Sequence, residues 1–180
     1  MCLKDKHTII ELRSEDAQSI AEGTTHERTK VRFSGMDFRG ILNDHPEGDK
    51  GLWNVKVVYF GLYQANGITN CEAIDIQIDE ITSPFVLSSR NRKGLTLGTA
   101  NCDILRDADS STGEDFLPSG FFIGASESIT QTCRINFTNW TCRLLSQREG
   151  DGLDLVSLSG SGSQINDWVL RLELSPYQNH

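Results

Sequence analysis

From Thr29 onward the chain alternates apolar and polar residues with a period of two, the mark of strands with one face turned inward. Val31 and Phe33 alternate with Arg32 and Ser34. A polar loop follows, carrying Asn43, Asp44, Pro46, Gly48, Asp49 and Gly51. The run 52–63 then sets Trp53, Val55, Val57 and Tyr59 on one face and Asn54 and Lys56 on the other. Val58 and Phe60 make its later half apolar on both faces, as in a central strand. Ile74, Ile76 and Ile78 alternate with Asp75, Gln77 and Asp79. A helix would scatter those isoleucines around its circumference. A strand puts all three on the core face and the polar set in water.

The C-terminal third carries the clearest pattern. Cys133, Ile135 and Phe137 alternate with Arg134 and Asn136; Trp140, Cys142 and Leu144 alternate with Thr141 and Arg143. The inward face switches between Phe137 and Trp140, which predicts a bulge or bend at Thr138 and Asn139. Trp168, Leu170, Leu172 and Leu174 alternate with Val169, Arg171 and Glu173, and Pro176 ends that strand. Shorter pieces are predicted at 85–88, at Leu95 and Leu97, at Ile104 and Leu105, at Phe121, Phe122 and Ile123, and at Leu153 and Leu155. Loops are predicted at 106–120 and 160–163.

Before Thr29 the pattern is thin. Ser14 is placed to cap a short helix over 15–22, with acidic residues in its first turn and Gly23 as its stop. Residues 1–28 read as an N-terminal arm, 29–176 as the domain and 177–180 as a tail. Roughly seven to nine short strands with no long helix predict an all-β, antiparallel β-sandwich of jelly-roll type, with a short N-terminal arm or helix.

Composition narrows the function classes. The formal net charge is -8 over 180 residues. Phosphate-backbone binding needs clustered Lys and Arg. The richest basic cluster is Arg90, Arg92 and Lys93, with Arg106 beyond it. Direct nucleic-acid binding and attachment to an anionic membrane are therefore not expected. No run approaches the ~18 apolar residues of a transmembrane helix, and the first twelve residues lack the apolar core of a signal peptide. The five cysteines, Cys2, Cys71, Cys102, Cys133 and Cys142, show no zinc spacing and read as free, partly buried thiols ahead of a disulfide framework. Two sequons, Asn136-Phe137-Thr138 and Asn139-Trp140-Thr141, matter only in a secreted chain.

Catalytic chemistry is not visible. His7 and His26 lie in the arm, His45 in a Pro/Gly loop and His180 at the end. None stands beside a Ser, Cys or Asp in a triad arrangement. Asp75 and Asp79 are about 13 Å apart by strand rise, too far for a glycosidase pair. Asp107, Asp109, Ser111 and Gly113 do not follow the EF-hand order, and Gly23, Gly35, Gly40 and Gly98 form no phosphate-binding loop. Trp53, Trp140 and Trp168 fall on apolar faces, which reads as core packing rather than sugar stacking. No catalytic, cofactor-binding or metal-ligating residue is assigned.

Three stretches carry a resemblance. "INFTNWTCRLLSQREGDGLDL", a loop and then "DWVLRLEL" resemble the final strands of jelly-roll capsid proteins from large eukaryotic DNA viruses and virophages. "VRFSGMDFRGILNDHPEGDKGLWNVKVVYFGLY" looks like their first strands, and "FVLSSRNRKGLTLG" is similar to their mid-domain strand and turn. The family's major capsid proteins carry two jelly rolls, whereas this chain has room for one. The resemblance implies a penton or minor capsid protein of the virion, a homo-oligomer that also contacts other capsid proteins through arms, loops and sheet edges. The other reading is a carbohydrate- or receptor-binding β-sandwich, which calls for an exposed tryptophan. A third, a hydrolase whose residues meet only on folding, calls for a carboxylate pair or a Cys–His pair.

Overall fold

A computed structural model of the chain describes residues 7–19, 30–45, 51–66, 73–84, 95–101, 129–147 and 164–177. They form two five-stranded sheets. In the first sheet the spatial order is β1 (Thr8–Arg13), β10 (Gln164–Pro176), β4 (Trp53–Asn66), β8 (Gln131–Ile135) and β6 (Ile81–Thr82). In the second it is β2 (Gln18–Ser19), β3 (Lys30–Phe33), β9 (Trp140–Gln147), β5 (Ala73–Ile78) and β7 (Leu95–Asn101). Every pairing is antiparallel. The protein is an all-β sandwich.

The pairings are nested along the chain. β1 pairs with β10, β3 with β9, β4 with β8 and β5 with β7. Two further pairings, β4 with β10 and β5 with β9, join these pairs within each sheet.

The alternation places the core as the sequence predicts in β5, β9 and β10. Ile74, Ile76 and Ile78, Trp140, Cys142 and Leu144, and Trp168, Leu170, Leu172 and Leu174 are all buried. Aromatic rings run through the interior. Phe60 and Phe33 pack on Trp168, with centroids 6.3 and 6.1 Å away. Phe33 is the register partner of Trp140, which packs on Phe38 at 4.8 Å. Phe137 then lies 5.4 Å from Phe38 and 5.1 Å from Trp53. Edge-to-face and tilted contacts of this kind add to the area term of burial.

Several expectations are corrected. At its described residues the helix expected over 15–22 is a single 3-10 turn, Ser14–Asp16, followed by β2. The N-cap of that turn is Arg13, not Ser14; Ser14 is buried, and its hydroxyl accepts a hydrogen bond from the Trp168 backbone N–H at 2.9 Å. Within the expected N-terminal arm, Thr8–Arg13 form β1, which packs on the domain as part of the first sheet. Inside the expected polar loop, Arg39–Asp44 form a short helix, α1. In β4 the register slips so that Arg171 faces Tyr59 while Leu172 faces Val57. Val58 is the extra residue of this bulge, which turns Phe60 inward and Tyr59 to the outer face. Of the bulge or bend expected between Phe137 and Trp140, the structure has the bend, at Thr138, where the chain leaves β8 in one sheet for β9 in the other. The pieces expected at 85–88, 104–105, 121–123 and 153–155, and the loops at 106–120 and 160–163, lie outside the described residues.

Candidate functional site

The outer face of the first sheet is built by register. Across β1, β10 and β4, Ile9 lines up with Glu173 and Lys56, Glu11 with Arg171 and Tyr59, and Arg13 with Val169 and Gly61. Cross-strand neighbours interact directly on such a face. The Glu11 carboxylate accepts from Arg13 Nε at 2.8 Å through one oxygen and from Arg171 Nε at 2.6 Å through the other. The hydrogen bond from Arg13, and then that from Arg171, hold the Glu11 carboxyl below its ordinary pKa. The same bond raises the pKa of Arg13. The Arg171 guanidinium lies over the Tyr59 ring, 5.1 Å from its centroid. Tyr59 in turn lies along the sheet over Gly61, where an added Cβ would meet its hydroxyl at 2.6 Å. His7 Nδ1 sits 3.1 Å from Glu173. Ile9, 54% exposed, is the large apolar side chain on this outer edge.

The outer face of the second sheet differs from the sequence reading. Asp75 and Gln77, expected in water, are buried at 3% and 1% exposure, so β5 is covered on both faces. Asp75 accepts from Thr99 Oγ1 at 2.8 Å, and Gln77 Nε2 donates to Thr96 Oγ1 at 3.1 Å. Gln77 Oε1 has no hydrogen-bond partner among the described residues. Gln131, on β8 of the opposite sheet, reaches across and donates through Nε2 to the Thr96 and Leu97 carbonyls at 2.7 and 3.3 Å. One side of the sandwich is stitched by that amide.

Asp79 and Glu80 lead from β5 to β6, and so from the second sheet to the first. Arg143 makes two bonds to Asp79, at 2.8 and 2.7 Å, the geometry in which guanidinium–carboxylate pairs are strongest. Glu80 accepts from the Thr141 N–H at 2.6 Å and from its hydroxyl at 3.2 Å. Asn136 N–H donates to the Glu80 carbonyl at 2.9 Å, so the two crossings between sheets lie side by side. Asp79, read from sequence as a wet-face acid, is a clamp.

The remaining candidates are placed as follows. His45, expected on a surface loop, is buried, with Nε2 3.1 Å from Thr8 Oγ1 and its ring edge-on to Trp53. Cys133 and Cys142 are free and buried. Burial pushes the Cys133 thiol up to about 12 and raises Cys142 further, with Asp79 and Glu80 adding to the latter. Neither is a thiolate nucleophile near neutral pH. All three tryptophans are buried. In the sequons, Asn136 and Thr138 are exposed, while Thr141 is buried and bonded to Glu80. Among the described residues no three His, Cys, Asp or Glu side chains gather as metal ligands, and no helix is long and apolar enough to cross a membrane. Cys2, Cys71, Cys102, His26, His180, Arg90, Arg92, Lys93 and Arg106 lie outside the described residues.

Fold and surface together define an antiparallel β-sandwich with a packed aromatic interior and a charged outer face beside an edge strand. No family model, curated protein or solved structure matches the chain.

Proposed function

We propose that this sandwich is a jelly roll and that the chain is a structural assembly protein, a single jelly-roll capsid component of the penton or minor type. On this reading it forms homo-oligomers, contacts other capsid proteins and resides in the virion. The observation that carries the reading is the nested pairing of β1 with β10, β3 with β9, β4 with β8 and β5 with β7. One long antiparallel hairpin, wrapped so that its strand pairs split between two sheets, produces that order. Double-sheet jelly rolls are used by capsid proteins, lectins and cupins.

Two observations favour assembly among these uses. Aromatic side chains fill the described interior, which works against a ligand held between the sheets. The three buried tryptophans offer no indole for stacking on a sugar, so the carbohydrate-binding reading loses its platform. Sheet faces, edges and loops are then the surfaces left for recognition. Native mass spectrometry and light scattering over a range of concentration and salt test the proposal. A defined oligomer is the expected outcome, and a strict monomer throughout would overturn it.

A further inference from the structure

Among the described strands, the outermost are β1 and β6 in the first sheet and β2 and β7 in the second. An unpaired strand edge is a template for another chain. β2 and β6 have two residues each, too few for a seam. On β7 the Thr96 and Leu97 carbonyls are held by Gln131. β1 is different. It has six residues, no Pro or Gly, and among the described residues it pairs with β10 alone. Its outward side chains Ile9, Glu11 and Arg13 are all exposed.

We infer that β1 is a self-association edge, pairing antiparallel with β1 of a second copy of this chain so that the two first sheets join side by side. The inference rests on the assembly reading and names its interface. A two-fold axis through the seam makes the contact isologous. The buried faces of the joined sheets stay on one side only if residues of the same parity oppose each other.

Charge then selects the register. Centring the axis on Glu11 sets two carboxylates directly opposite, which is destabilising. Centring it on Ile10 sets each Glu11 against the copy's Ile9, and each Arg13 against the copy's His7. Centring it on Leu12 sets Glu11 against Arg13 of the copy, twice by symmetry, with the two Leu12 side chains adjacent on the core side. The Arg13 guanidinium meets Glu11 at 2.8 Å and Glu15 at 3.5 Å in its own chain, and its side chain, 48% exposed, has room for the copy's carboxylate as well. The 3-10 turn starting at Ser14 ends the seam after a few residues. The dimer is therefore weak and sensitive to salt, because its pairing charges are exposed.

Cysteine trapping in the full chain, with Cys2, Cys71 and Cys102 changed to Ser, tests this under mild oxidation. Mixing a Glu11→Cys protein with an Arg13→Cys protein is expected to give a disulfide-linked heterodimer. Neither protein alone should cross-link, because identical positions then lie on a diagonal too long for a disulfide. Arg13→Glu, checked for folding by circular dichroism, is expected to weaken self-association about tenfold. Cross-linking of Glu11→Cys by itself would overturn the Leu12-centred register. A wild-type oligomer in native mass spectrometry, with no cross-link in any mixture, would remove the β1 seam and leave the assembly reading standing. A wild-type monomer without cross-links would remove both.

Discussion

At the scale of single residues, burial decides the chemistry of the two inner cysteines. Cys133 faces the interior from β8 and Cys142 from β9, and an apolar interior disfavours the thiolate. Both thiols should resist a thiol reagent at pH 8 in the native protein and react fully in denaturant. The linked effect on stability has a definite sign. Ionisation begins in the unfolded chain, near the ordinary thiol value of 9.0, while the folded thiols stay neutral. Their contribution is therefore complete below about pH 9 and is lost as the pH rises towards about 12. Urea titrations of wild type and a Cys133→Ala, Cys142→Ala double variant should differ in slope against pH above pH 9. Parallel curves would contradict the burial argument.

At the scale of elements, β5 shows what alternation conveys and what it does not. Its isoleucine face was legible, because a pleated strand turns every second residue to the same side whatever lies beyond. The fate of the other face was not, because Asp75 and Gln77 are polar and their covering depends on parts of the chain remote in sequence. The two faces should respond differently to substitution. Ile76→Ala opens a hole among close-packed side chains and should cost about 2–5 kcal/mol. Gln77→Met gives up the bond to Thr96 but also removes a buried carbonyl that has no partner among the described residues, so the change should stay within about 1 kcal/mol. Denaturant midpoints of the two variants decide this, and a large loss for Gln77→Met would show that Gln77 Oε1 is held by an ordered water. The β8–β9 crossing teaches the same lesson. A change of inward face at residues 137–140 is visible in the sequence, yet a bulge within one sheet and a passage between two sheets leave the same local pattern.

At the scale of the whole molecule, the first described strand closes on the last. β1 and β10 pair along all six residues of β1, and Ser14 adds the bond to Trp168. Chain-distant pairing of this kind makes folding slow, in the millisecond-to-second range typical of all-β domains. A chain lacking residues 1–13 should lose the burial of Ile10 and Leu12, about 1.5–3 kcal/mol for each side chain, and expose the edge of β10. A lower melting temperature and aggregation are the expected outcomes, read by calorimetry and light scattering. Unchanged stability would mean that the pairing of β1 with β10 contributes little to the fold.

The sequence by itself determined where strands run through residues 31–33, 53–57, 74–78, 140–144 and 168–174 and which of their sides face inward. That information is local: it lies in the repeat of side chains along an extended backbone. Tertiary structure alone decided which strand neighbours which and in which sheet. It also decided that Asp75, Gln77 and His45 are buried, that Arg171 reaches Glu11, and that β1 is outermost among the described strands of its sheet. Each of these depends on partners tens of residues or more away, and a periodic pattern holds no record of what it will meet.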